Sequence, residues 1–138
     1  MRLLEIENPL RQIIHQFIAD TYGIRKGLPD VQVLDRKQWA EKFPGMVGVS
    51  PALFHVRQNA LYFVEVPPNP YDVAHEILHW YQAQEIGAEN YLQEIKNPET
   101  RERYEKAADD VAGTFEHRLS TEFRRYGIIK EPAERARR

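Results

Sequence analysis

A chain of 138 residues, 42% of them hydrophobic, carries enough apolar material for one globular domain with a real core and too little for two. Its formal charge of −2 gives no electrostatic case for nucleic acid or an anionic membrane surface as the main partner. With no cysteine there is no disulfide framework and no thiolate metal site, so a bound metal would rest on histidine and carboxylate.

At the N-terminus, Glu5 and Glu7 interrupt the apolar residues before a signal-peptide core forms. No apolar run approaches the ~18 residues of a membrane span, so the expected compartment is the cytoplasm. Three Asn-Pro pairs, Asn8-Pro9, Asn69-Pro70 and Asn97-Pro98, each stand before a helical pattern. Asparagine accepts from the orphan N–H groups of a first turn and proline has none to lose, so each pair predicts a helix start. The first helix is expected over residues 9–22, with Leu10, Ile13, Ile14, Phe17 and Ile18 on one stripe and Gly23 as its stop. It reads as a backing helix, and His15 lies off the stripe as a surface residue.

Residues 31–34 read as a strand and 36–42 as a short helix around Trp39, broken at Phe43-Pro44-Gly45. Residues 53–56 and 61–66 flank a turn at 57–60, which suits a hairpin and brings the sheet to about three short strands. Pro67 and Pro68 end the last strand, since proline cannot donate to a ladder. His55, without a second ligand at a useful spacing, reads as a structural histidine.

Asn69-Pro70 opens a helix expected over residues 70–86, stopped by Gly87. It carries His75-Glu76-Ile77-Leu78-His79. Residues four apart share a helix face with Cβ atoms ~5–6 Å apart, so both imidazoles can close on one Zn²⁺. Glu76 follows the first histidine and projects beside the metal, where a general base belongs. Val73, Ile77 and Trp80 form one apolar line and Ala74, Leu78 and Tyr81 another, while His75, Glu76, His79 and Gln82 share the remaining side.

A catalytic zinc takes three protein ligands and keeps one position open. Beyond an irregular stretch expected over residues 87–96, Asn97-Pro98 opens a helix that runs to residue 126 and is bounded by Gly127. On it Glu105 and Asp109 share a face: Glu105 can be the third ligand, and Asp109 can accept from the outer N–H of a ligating histidine. Ala107, Ala108, Ala112 and Gly113 offer a small-residue surface for close helix approach, and a glycine inside a helix suggests a packing reason. Val111, Phe115, Leu119 and Phe123 continue the core side. Glu102 has no acid four residues on and Glu116 lies ~16 Å further along the axis, so both stand behind Glu105.

H-E-x-x-H followed by E-x-x-x-D resembles the gluzincin metallopeptidases. With a backing helix, a small sheet, a histidine helix and a glutamate helix in one short chain, the sequence is most similar to the minigluzincins. The resemblance covers residues 8–126 in architecture and rests on 75–79 and 105–109 in motif. It implies an α+β, zincin-like single domain over residues 1–138, with Zn²⁺ held by His75, His79 and Glu105. It also implies Glu76 as the general base of peptide-bond hydrolysis, Asp109 behind a ligand, and a peptide or protein substrate as partner. The last strand before the histidine helix is expected to border the cleft, with an edge to which an extended peptide adds. Tyr91 is the first candidate for an oxyanion donor, with His117 behind it. Residues 130–138 read as a flexible basic tail, which would lie across the cleft if it acts as latency segments do in minigluzincins. Two other readings stay open: a zincin-like regulatory or binding protein with little or no peptidase activity, and zinc as a staple between helices.

Overall fold

The computed structural model describes residues 3–64 and 68–128. Among them the order is α1 (Leu3–Tyr22), β1 (Asp30–Val33), α2 (Arg36–Lys42), a 3₁₀ turn (Pro44–Met46), β2 (Ala52–His55), β3 (Ala60–Phe63), α3 (Pro70–Ile86), α4 (Ala88–Glu94) and α5 (Pro98–Arg125). This is an α+β arrangement of five helices and a mixed three-stranded sheet, as expected. The expected tail over 130–138 and the end of the strand expected over 61–66 lie outside the described residues.

α1 begins at Leu3 rather than at the first Asn-Pro pair, and Pro9 lies inside it. An interior proline removes one helical hydrogen bond and costs about 3 kcal/mol. Tertiary contacts hold the extra turn nonetheless. Ile6 is 1% exposed in the same core as Leu10, and Glu7 Oε2 accepts from the Val33 N–H at 2.9 Å. Arg11 donates both to Glu7 and to the Val31 carbonyl, so the start of the helix is laced to β1. Burial and pairing override the local start signal, and Asn8 accepts from Arg11 instead of capping. His15 is half-buried, with Nε2 2.7 Å from the Pro29 carbonyl.

β3 is the middle strand, parallel to β1 and antiparallel to β2. The chain through α2 and β2 gives it the length to return parallel to β1. Alternation puts Val31, Val33, Ala52, Phe54, Leu61 and Phe63 into the main core with α1 and α3, while Ala60 and Tyr62 face Trp39 of α2. Both edges of β3 are taken, which corrects the expectation that the last strand before the histidine helix offers a free edge. The outer strand packed beside α3 is β2.

At the hairpin turn Asn59 adopts φ 51°, a left-handed conformation that asparagine tolerates better than most residues. Its amide donates to the Gly27 and Leu28 carbonyls, and its Oδ1 accepts the Trp80 indole N–H at 2.7 Å. One side chain thus joins the turn, the α1–β1 connection and α3. His55 accepts from the Gln58 N–H beside Phe43 and Tyr62, a structural role as expected.

The other two Asn-Pro pairs do start helices. Asn69 accepts from the Tyr71 N–H at 2.8 Å, and Asn97 from the N–H groups of Glu99 and Thr100. Gly87 ends α3 with φ 90°, its N–H bonding the Ala83 carbonyl. The stretch expected to be irregular over 87–96 contains α4, seven residues long, anchored by buried Tyr91. α3 and α5 pack along each other more extensively than any other pair of elements, with Ala108 and Ala112 fully buried in the core. Ala107 and Gly113 are exposed, and a Cβ on Gly113 would meet nothing within 4 Å, so close packing does not account for that glycine. Among the described residues no helix is long and apolar enough to cross a membrane.

Candidate metal centre

The polar side of α3 is not solvated, because α5 covers it. Glu76 and His79 are 8% and 7% exposed, His75 is half-buried, and the opposite side of α3 places Val73, Ile77 and Trp80 in the core. A polar face buried this way needs partners for every atom. His75 Nε2 and His79 Nε2 lie 3.1 Å apart. Glu105 reaches across from α5 with Oε1 2.9 Å from His79 Nε2 and Oε2 3.2 Å from His75 Nε2. One ligand atom from each of His75, His79 and Glu105 therefore falls within a 4.8 Å cluster that could hold a metal ion.

The outer nitrogens decide which atoms are free to ligate. His75 Nδ1 is 3.0 Å from Asp109 Oδ1, an acceptor, so Nδ1 carries the proton and Nε2 keeps its lone pair. His79 Nδ1 is 2.9 Å from Gln82 Oε1, while the Gln82 NH₂ donates to the Tyr104 carbonyl. That assigns the same tautomer to His79. Two nitrogen lone pairs and a carboxylate thus converge on one point. Three electron-rich groups repel at this range unless a proton or a cation sits among them, so the arrangement fits a metal ion.

The charges carry the same signature. Burial raises the Glu76 carboxyl above its ordinary range; His79 and His75 oppose the shift and Glu105 adds to it. For His79, burial works against the proton, but Glu105 and Glu76 outweigh it and hold the ring above its usual value. Glu105 is lowered, chiefly by the hydrogen bond it accepts from His79 when that ring also carries a proton on Nε2. Glu76 Oε2 lies 4.0 Å from His75 Nε2, so its carboxylate borders the cluster.

Asp109 stands where the spacing on α5 put it. It also accepts from the Tyr71 hydroxyl at 3.0 Å, a partner that sequence reasoning missed because Tyr71 reads only as a first-turn residue. Gln82 is on the histidine face as expected, but its bond to α5 depends on how two helices cross and has no signal in the sequence. The Tyr91 hydroxyl lies 3.2 Å from His79 Nδ1, on the side of the ring away from the cluster. Burial, then Glu105 and Glu76, raise its pKa, so the hydroxyl stays neutral. The observed contact is a brace on the His79 ring. His117 and Glu102 are exposed on α5 and outside the cluster, and Glu116 is likewise no part of it.

Comparison of the chain with protein-family models, with curated proteins and with solved structures finds no match.

Proposed function

We propose that this chain is a zinc metallopeptidase of the gluzincin type, most like the minigluzincins, with His75, His79 and Glu105 as the metal ligands. The observation that carries the reading is the convergence of two imidazole lone pairs and one carboxylate beside a second, buried carboxylate, Glu76. A nitrogen-and-oxygen set without thiolate suits zinc. A tetrahedral zinc with bonds of about 2.0–2.1 Å separates its ligand atoms by about 3.3–3.4 Å. The nearest separations are 3.1 Å between the two Nε2 atoms, 2.9 Å from His79 Nε2 to Glu105 Oε1 and 3.2 Å from His75 Nε2 to Glu105 Oε2. Each lies within a few tenths of an ångström of that spacing, with the two carboxylate contacts made by different oxygens. Bound there, zinc would supply Lewis acidity toward a substrate carbonyl and a water molecule.

The chain's own residues do the rest. Asp109 and Gln82 hold the two rings with Nε2 inward. Glu76, whose burial raises its proton affinity, takes a proton from the attacking water. It then delivers that proton to the departing amine nitrogen as the C–N bond breaks and the new C–O bond remains. An extended peptide has β2 as its available edge. There the Ser50 hydroxyl already bonds the N–H and C=O of Ala52, which directs pairing toward Phe54. Phe54 packs against Tyr91, which touches His79, so that edge leads to the metal point.

The test is Glu76→Gln against a degenerate peptide pool read by mass spectrometry. Zinc-loaded wild type should cut peptides, and the variant should keep one zinc per chain while losing at least about 100-fold in rate. A fully zinc-loaded wild type that cuts nothing in the pool would refute the peptidase reading and leave a structural zinc site.

A further inference from the structure

Beside the cluster, the Gln82 side chain joins the histidine helix to the α5 backbone that leads into Glu105, its NH₂ donating to the Tyr104 carbonyl. We propose that Gln82 is a positioning residue that fixes the tautomer of His79 and the placement of Glu105 through one side-chain amide. The inference rests on the zinc reading above and assigns a role that the two motifs leave blank.

A primary amide has a carbonyl end that only accepts and an NH₂ end that only donates. The Tyr104 carbonyl also only accepts, and it lies 3.2 Å from Gln82 Nε2. The amide therefore has one orientation, with Oε1 turned to His79 Nδ1 at 2.9 Å. His79 must then carry its proton on Nδ1, and its Nε2 lone pair faces Glu105 and the metal point. The same bond holds the α5 backbone at Tyr104, the residue directly before Glu105. Its ring stacks on Tyr91 at 5.6 Å, and Tyr91 closes back on His79 Nδ1 at 3.2 Å. The second histidine and the third ligand are thus tied by a closed loop of contacts through Gln82.

The choice of an amide has its own logic. His75 is backed by a carboxylate, Asp109, whose side chain is about half exposed. His79 is nearly buried, with Glu76 and Glu105 already close. A third carboxylate there would add uncompensated charge and face the Tyr104 carbonyl oxygen with no proton to offer. A neutral amide satisfies both neighbours.

The experiment compares Gln82→Met, of similar length but without donor or acceptor, with Gln82→Glu, which keeps an acceptor toward Nδ1. Gln82→Met should weaken zinc binding by about 10–100-fold in chelator competition, the usual loss when a ligand's outer hydrogen bond is removed. Gln82→Glu, which keeps the acceptor toward His79 Nδ1 but loses the donor toward the Tyr104 carbonyl, should recover only part of that loss. Long-range ¹H–¹⁵N spectra of the zinc-loaded wild type should place the His79 proton on Nδ1, and a perturbation of folding alone would not move that signature. Unchanged zinc affinity in Gln82→Met, or Gln82→Glu as weak as Gln82→Met, would overturn the proposal. Glu105→Ala run alongside separates the two levels. If it loses zinc while Gln82→Met does not, only the role of Gln82 falls; if Glu105→Ala binds as wild type does, the zinc reading falls and takes this one with it.

Discussion

Replacing Glu105 by alanine separates metal binding from folding, because the Glu105 side chain is 53% exposed while its oxygens sit 2.9 and 3.2 Å from the histidine nitrogens. Little packing is lost, so the chelated variant should melt within about 1 kcal/mol of the chelated wild type. The metal-loaded proteins should differ far more. Losing a hydrogen bond behind a ligand costs about 10–100-fold in affinity, and losing the ligand itself costs at least the upper end of that range. With free zinc at about 100 times the wild-type Kd, binding stabilises wild type by about 2.7 kcal/mol. The same zinc then stands near the Kd of the variant and contributes only about 0.4 kcal/mol. For a chain of 138 residues a difference of about 2.3 kcal/mol corresponds to a Tm gap of about 7–12 °C. The assay is a pair of thermal melts by circular dichroism, each with buffered zinc and with excess chelator. A variant whose zinc-dependent rise in Tm equals that of wild type would refute the three-ligand geometry.

Two further outcomes follow from the same contacts. In the chelated protein, His79 is held above its ordinary 6.5, so its stabilising contribution is complete below pH 6.5 and is lost as pH rises through the raised value. Glu76, raised by burial above 4.5, acts in the same sense, whereas Glu105, lowered chiefly by His79, adds stability above pH 4.5 that is lost as pH falls through its lowered value. Chelated protein should therefore grow less stable above pH 6.5 while the gain from zinc increases, since zinc displaces those protons; a chelated Tm that climbs from pH 6.5 to 8 contradicts the assignment. Away from the metal, Trp80 is fully buried and donates to Asn59, so Trp80→Phe should cost about 1–3 kcal/mol in urea unfolding by leaving the Asn59 oxygen without its donor. A loss below about 0.5 kcal/mol would remove the tie between hairpin and helix from the account of stability.

The cluster of His75, His79 and Glu105 was legible in the sequence because helical geometry converts spacing into position. His75 and His79 must share a face, and so must Glu105 and Asp109, wherever their helices lie. That the two faces meet was an expectation about packing, and the structure brings Glu105 to both nitrogens. What spacing could not reveal depends on crossings between elements. The bond from Gln82 to the Tyr104 carbonyl and the brace of Tyr91 against His79 each join residues whose separation is set by α4. α4 itself escaped notice because seven residues are too few for a period to stand out. The early start of α1 was masked by a correct local rule, since an Asn-Pro pair does favour a helix start and long-range contacts of Ile6 and Glu7 outweighed it. The place of β3 in the middle of the sheet was equally out of reach, because strand order leaves no trace in alternation.

The three residues that could hold a metal all come from α3 and α5, and between those helices the chain passes only through α4 and a short connection. Bringing such neighbours together closes a small loop, and loop-closure entropy grows slowly from a low base. The core beneath α3 draws on α1 and the sheet, which are contributed from much farther back along the chain. On a refolding chain, a bound metal and hydrophobic burial would therefore act over different lengths. An ion captured by the C-terminal helical hairpin would set the pitch and register of α3 against α5 before the N-terminal half has found its place, and would hand the sheet a preformed surface on which to assemble.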